Sequence, residues 1–71
     1  MAARMAQAEE NFIDNIARAG GISKVAAAKV LAVYRRHRVV KMNAVSGEIT
    51  VKHGGFMDRD VILRALAEAA R

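Results

Sequence analysis

Three glycine-containing breaks in a chain without proline constrain its fold more than any other feature. They lie at Gly20-Gly21, Ser46-Gly47 and Gly54-Gly55. Glycine adopts backbone conformations that end helices and close turns, so each break separates two regular segments. None of the four segments is long enough to form a core alone, so the 71 residues are predicted to form one small domain. We expect residues 1–5 to be disordered or frayed.

The first two segments have the hydrophobic spacing of helices. Apolar residues recur at intervals of three and four between Ala6 and Ala19, and Gly20 is expected to end this helix in the left-handed conformation. Ser23 is predicted to cap a second helix, from Lys24 to about His37. This helix is apolar around most of its circumference, which predicts two packing partners. The predicted buried residues of the first helix are Phe12, Ile13, Ile16 and Ala17.

The third segment is predicted to be a β-hairpin. Two stretches rich in β-branched residues, Val39 to Asn43 and Glu48 to His53, flank Ser46-Gly47. A two-residue turn there would put Ala44, Met42, Ile49 and Val51 on one buried face, whereas a three-residue turn would mix polar and apolar residues on each face.

That preferred register makes specific pairs. It sets Ala44 opposite Ile49 and Met42 opposite Val51, and on the outer face it sets Lys41 directly opposite Lys52.

The last segment is predicted to be a helix from about Arg59 to Ala70, with Asp58 as its N-cap. Its expected buried residues are Ile62, Leu63, Leu66 and Ala69. Charged residues at helical spacing predict the ion pairs Asp14–Arg18, Asp60–Arg64 and Arg64–Glu68. The resulting fold class is α+β and helix-dominated, in the order helix, helix, β-hairpin, helix.

The small size predicts a need for support beyond one core. With no cysteine and only two histidines, a disulfide or a thiolate metal site is excluded and neither a metal nor another cofactor is predicted. We therefore expect a homodimer, formed through apolar faces of the second and C-terminal helices, in preference to a monomer.

No catalytic arrangement is evident. A cap and a turn account for Ser23 and Ser46, and the spacing suggests no carboxylate partner for His37 or His53. The chain is therefore not predicted to be an enzyme.

The longest apolar run, residues 25–28, is too short to cross a membrane, and no signal peptide is recognised at the N-terminus. A cytoplasmic location is expected.

A net charge of +5, from 12 basic and 7 acidic residues, favours a polyanionic partner. We expect the basic residues at the end of the second helix and on the hairpin to contact the phosphate backbone of double-stranded DNA. The predicted nucleic-acid-binding residues are Lys24, Lys29, Arg35, Arg36, Arg38, Lys41 and Lys52. The alternative is a protein-binding modulator that presents this basic face to an acidic protein.

Residues 16–30 resemble the helix-turn-helix pattern of bacterial regulators, with Ile16-Ala17, then Gly21-Ile22-Ser23, then Ala27 and Val30. This resemblance implies a DNA-binding regulatory protein, with the hairpin acting as the wing of a winged helix.

Residues 11–34 are also similar to the opening helical hairpin of the HU histone-like family, through Ile16-Ala17, the segment Gly21 to Lys24 and the run Ala26 to Ala28. HU proteins are longer, and only one short hairpin is present here, so this resemblance implies dimerisation and not the DNA-clasping arm. Residues 49–58 resemble a stretch of small phage proteins of unassigned function, which implies a phage origin.

Overall fold

Three helices and a two-stranded antiparallel sheet make up the fold, so the helix-dominated α+β class is confirmed. The structure is a computed structural model that describes residues 2–43 and 45–71, with side chains from Gln7 onward. The elements are α1 (Ala2–Gly20), α2 (Lys24–Arg36), β1 (Val40–Met42), β2 (Ile49–Val51), a 3₁₀ helix (Gly54–Met57) and α3 (Arg59–Ala69). Among these residues, no helix combines the length and apolar composition that a membrane span requires.

α1 differs from its predicted bounds at both ends. It starts at Ala2 and not at Ala6, which agrees with the high helix propensity of the alanines in this stretch. At the other end Gly20 is helical, and the left-handed residue is Gly21, with φ of +64°. The Ile22 N–H donates to the Ala17 carbonyl across Gly21 at 3.0 Å, closing the helix as in a Schellman motif.

Gly20 is required for space and not for backbone conformation. A Cβ atom at this position would lie 2.6 Å from Cγ2 of Ile62, a side chain that is fully buried in α3. The two adjacent glycines thus serve different purposes, because Gly20 lets α1 approach α3 while Gly21 turns the chain.

We expect Gly20→Ala to lower the free energy of unfolding by about 1–3 kcal/mol, because the added methyl overpacks a site that Ile62 already fills. Gly21→Ala is the matched control, since a Cβ there meets nothing within 4 Å and only left-handed strain remains. Urea denaturation should further show that Gly21→Asn is tolerated better than Gly21→Ala, whereas Gly20→Ser is as damaging as Gly20→Ala. Unchanged stability of Gly20→Ala would contradict the close approach.

The core lies where the three helices meet. Its fully buried large side chains are Ile16, Val30 and Ile62, one from each helix. In α3, Ala65 is buried whereas Leu63 is 38% exposed, so the prediction of Leu63 in the buried stripe is wrong. α2 buries Ala27, Val30, Leu31, Val33 and Tyr34. Val25 of α2 is 72% exposed within the chain, so the rest of the chain supplies one packing partner of this helix and the predicted second partner stays a prediction.

The hairpin keeps the predicted alternation of faces, but its register differs, and Met42, which was predicted to be buried, is 39% exposed. Met42 pairs with Ile49 and Val40 with Val51, so the strands are shifted by two residues and Lys41 faces Thr50 in place of Lys52. A two-residue shift leaves every side chain on its original face. Val40, Ile49 and Val51 therefore still pack against the core, although only partly buried.

The register is shifted because the loop between β1 and β2 is longer than two residues. The Oδ1 atom of Asn43 accepts hydrogen bonds from the N–H groups of Val45 and Ser46, and the Gly47 N–H donates to the Asn43 carbonyl at 2.7 Å. Gly47 closes this loop with φ of +75°. The predicted pairing of Ala44 with Ile49 is excluded by the register, and Ala44 itself lies outside the described residues.

A tyrosine joins α2 to the segment that precedes α3. Tyr34 is 2% exposed, and its hydroxyl donates a hydrogen bond to the Phe56 carbonyl at 2.5 Å. The two rings pack edge to face with centroids 5.4 Å apart. Phe56 lies in the 3₁₀ helix, an element that the glycine break at 54–55 did not predict.

Candidate nucleic-acid interface

The chain leaves α2 through an arginine in an unusual backbone conformation. Arg38 has φ of +59° and is the one described residue other than glycine with positive φ. Around it, the Val39 N–H donates to the Tyr34 carbonyl and the Arg38 N–H to the Arg35 carbonyl, at 3.0 and 3.1 Å. This is the Schellman pattern, in which glycine is the usual residue at the left-handed position.

The two Schellman motifs of the chain therefore differ in one respect. Gly21 occupies the left-handed position after α1, whereas Arg38 occupies the equivalent position after α2. A residue with a Cβ costs about 1–2 kcal/mol in this conformation. The Arg38 side chain is exposed and forms no ion pair within the described part of the chain, so no charge pairing with the described residues offsets that cost.

Two lysines lie on the outer face of the hairpin that follows. The Lys52 N–H donates to the Val39 carbonyl at 2.8 Å, which places Lys52 across from the residue next to Arg38. Lys41 comes two residues after Val39 and lies opposite Thr50. Because side chains alternate along a strand, Lys41 and Lys52 belong to the same face. They are diagonal neighbours and not the directly opposed pair that was predicted, which lessens their mutual repulsion.

Three of the predicted binding residues are instead paired with carboxylates of the same chain. Lys24 lies 3.1 Å from Asp14 and Arg35 lies 2.8 Å from Glu9, so both bind α1. Arg36 binds Glu68 of α3. The seven residues therefore do not form one continuous unpaired surface, and Lys24 is at the opposite end of α2 from Arg35 and Arg36.

These pairs also replace the ion pairs predicted within helices. Asp14 binds Lys24 and not Arg18, which instead donates a hydrogen bond to the side chain of Asn15. The Asp14 Oδ1 atom is shielded from solvent and has no aligned hydrogen bond, so its contact with Lys24 is a charge pairing. In α3, Arg64 forms no ion pair with Asp60 or Glu68 among the described residues.

Glu68 connects α3 to the last turn of α2. Its Oε2 atom lies 2.7 Å from Nε2 of His37 and also accepts from Arg36. Hydrogen bonds from His37 and then Arg36 lower the pKa of the Glu68 carboxyl below its usual value. All three side chains are at least 38% exposed, so solvent and salt screen these surface pairs and they stabilise the fold little. A phosphate group could therefore compete with Glu68 for Arg36.

Lys29 is the last of the predicted nucleic-acid-binding residues. It is exposed and seven residues before Arg36, so the two share one side of α2, two turns apart. Four predicted residues thus have no carboxylate partner within the described chain: Lys29, Arg38, Lys41 and Lys52. The backbone positions of Arg38, Lys41 and Lys52 are close to one another at the base of the hairpin.

The described residues hold no group of three histidine or acidic side chains that could bind a metal ion. The sequence interpretation also missed one polar surface, formed by Gln7, Asn11 and Asn15 on α1. These carboxamides line an open groove between α1 and the hairpin loop. Their spacing of four residues was the available signal, because it places side chains on one side of a helix.

Comparison with known proteins adds no relative from which a function could be transferred. No protein-family model, curated protein or solved structure matches the chain significantly.

Proposed function

We propose that this protein binds the phosphate backbone of duplex DNA through a hairpin-base patch made of Arg38, Lys41 and Lys52. Arg35 and Arg36 flank the patch and would exchange their weak carboxylate contacts for phosphate on binding. Lys29 extends it along α2. Lys24, bound to Asp14 at the other end of α2, has no part in this reduced set.

The observation that carries the proposal is the left-handed arginine. Strained backbone is retained where the side chain has a role that offsets its cost, and such positions cluster at functional sites. Arg38 has φ of +59° and an exposed side chain without a carboxylate partner in the described structure. A ligand that binds cations accounts for an arginine where glycine would be more stable.

Arg38→Gly should therefore change stability and binding in opposite directions. We expect the free energy of unfolding to rise by about 0.5–1 kcal/mol, because the relief of left-handed strain exceeds the extra flexibility of the unfolded chain. Affinity for a duplex, measured by fluorescence anisotropy at low salt, should fall about three- to tenfold, and the slope of log K against log salt should decrease by about 0.9 if one phosphate contact is lost.

Arg59→Gln is the matched control, because it removes one positive charge at the first residue of α3. If it weakens binding as much as Arg38→Gly does, the effect comes from net charge and the patch is wrong. If the wild-type protein does not bind duplex DNA at low salt, the DNA proposal fails. The alternative of a basic face for an acidic protein would then be favoured.

The proposal includes three further expectations from the sequence, namely the role of the hairpin, the class of protein and the dimer. The hairpin would act as a wing beside the DNA, in a winged-helix-like or HU-like arrangement, in a small phage-encoded regulatory or accessory protein of the cytoplasm. A homodimer would use the exposed apolar side chains of α2 and α3, among them Val25 and Leu63. Sedimentation at high micromolar concentration tests this, and a monomer there contradicts the dimer.

A further inference from the structure

A second surface lies outside the basic patch. One wall of a groove of about 840 Å³ is formed by the exposed side of α1, and the other is formed by residues 45–49 of the hairpin loop and β2. The apolar side chains of Ala8, Phe12 and Ile49 contribute to its lining. At its edge, Val45 is 91% exposed, the most exposed large apolar residue described. The groove is open along its length, which suits an extended ligand better than a compact one.

The α1 wall presents a row of carboxamides. Gln7, Asn11 and Asn15 are spaced four residues apart, so they repeat at about 6 Å along the helix. Peptide groups that point to the same side of an extended chain repeat at about 6.7 Å. A carboxamide has both donors and an acceptor, as a peptide group has, so successive side chains can each bond to successive peptide groups.

The row also has unused hydrogen-bonding capacity. Gln7 donates to Oδ1 of Asn11 at 3.0 Å, and Arg18 donates to Oδ1 of Asn15 at 3.1 Å. The amide nitrogens of Asn11 and Asn15 make no hydrogen bond within the described structure. Both residues are exposed, so these donors can bond to acceptors that another chain supplies.

The charges of the groove disfavour a nucleic acid. Of its charged residues, Asp14 is neutralised by Lys24, which leaves Glu48 and Arg18 as one unpaired charge of each sign in the described structure. A site for a phosphate backbone would need a positive excess. A peptide can supply a basic side chain to Glu48 together with an apolar one beside Val45.

From these observations we infer that the groove binds an extended peptide segment of a partner protein that carries a lysine or arginine. The carboxamide row pairs with the peptide backbone, Glu48 selects the basic side chain, and Val45 with the apolar lining covers a neighbouring side chain. The inference is independent of DNA binding, because the two surfaces share no residue.

A displayed library of random heptapeptides provides the test. The full-length protein is used for selection, and an enriched peptide is then synthesised and titrated into ¹⁵N-labelled protein. The chain contains one glutamine and three asparagines, so the side-chain amide region of the spectrum contains only four pairs of signals. We expect the signals of Gln7, Asn11 and Asn15 to shift, while the backbone amide signals of Arg38 and Lys52, which lie outside the groove, do not.

Variants then separate a specific site from general adhesion. Asn11→Ala with Asn15→Ala should weaken binding of the peptide about tenfold, because two hydrogen bonds to the peptide backbone are lost. Both residues are exposed and alanine favours a helix, so folding should be preserved. Thr50→Ala, on the outer face of the hairpin, is the neutral control and should bind normally. When the Glu48→Lys variant replaces the wild-type protein in the selection, basic peptides should no longer be enriched.

The inference is overturned if no peptide is enriched, or if the enriched peptides bind the double alanine variant as tightly as the wild type. It is also overturned if a duplex oligonucleotide shifts the three α1 carboxamide signals while peptides do not. Weaker DNA binding in Arg38→Gly with unchanged peptide binding would support the inference, because the peptide groove does not depend on the hairpin-base patch.

Discussion

Ile62→Ala is expected to remove a large part of the free energy of unfolding. Ile62 is completely buried at the centre of the three-helix core, and truncation of such a side chain typically costs about 2–5 kcal/mol. For 71 residues, a total stability of about 4–11 kcal/mol is expected. One core substitution can therefore remove a large part of the stability of so small a domain.

Leu63→Ala provides the comparison, because it removes a side chain of the same size from the adjacent position of α3. Leu63 is 38% exposed, so its truncation should cost about 1–2 kcal/mol, less than that of the fully buried Ile62. Circular dichroism in urea, followed to complete unfolding for each variant, measures both values. Similar losses for the two variants, or a larger loss for Leu63→Ala, would show that the orientation of α3 is wrong.

Tyr34→Phe is expected to lower the free energy of unfolding by about 1–3 kcal/mol. The substitution keeps the ring and its packing against Phe56 but removes the hydroxyl that donates to the Phe56 carbonyl. An acceptor that loses its partner within the part-buried contact retains its desolvation cost. Urea denaturation near neutral pH gives the size of the loss.

The same residue predicts a dependence of stability on alkaline pH. Burial raises the pKa of the Tyr34 hydroxyl above its usual value of 10.0. The unfolded chain therefore ionises first as the pH rises, so the stabilisation is complete below pH 10 and is lost as the pH passes through the raised value.

Tyr34 is the only tyrosine, so the absorbance of its phenolate reports this titration without interference from another tyrosine. Stability measured across the alkaline range should decline in the wild type and decline less in Tyr34→Phe. Burial of the hydroxyl would be contradicted if Tyr34 of the folded protein titrated with the usual pKa of a phenol. It would also be contradicted if stability declined equally with alkaline pH in the wild type and in Tyr34→Phe.

Features that depend on residues close together in the sequence were predicted well. Ser23 caps α2, with its Oγ accepting the Ala26 N–H at 3.1 Å, and α3 starts at Arg59 as expected. The apolar face of the hairpin was also predicted, because alternation along a strand depends only on neighbouring residues. Its register was not, since Asn43 widens the loop through two side-chain hydrogen bonds that alternation does not encode.

The ion pairs were predicted poorly because they were inferred only from the spacing of charged residues along one helix. The sequence placed the partners of Asp14 and Glu68 on their own helices, whereas the folded chain brings Lys24 to the first and Arg36 with His37 to the second. Each of these pairs joins two different helices. Pairs within one helix are worth about 0.2–0.5 kcal/mol, so a closer partner on a neighbouring helix readily replaces them.

The sequence by itself determined the helical composition, the outer lysines of the hairpin and the positive charge at the end of α2, because each depends on residue type and local periodicity. Only the tertiary structure decided which cations are neutralised, since contacts between helices assign carboxylates to Lys24, Arg35 and Arg36. It also decided that Arg38 takes the left-handed position after α2. That conformation follows from where the hairpin must leave the helix to pack on the core.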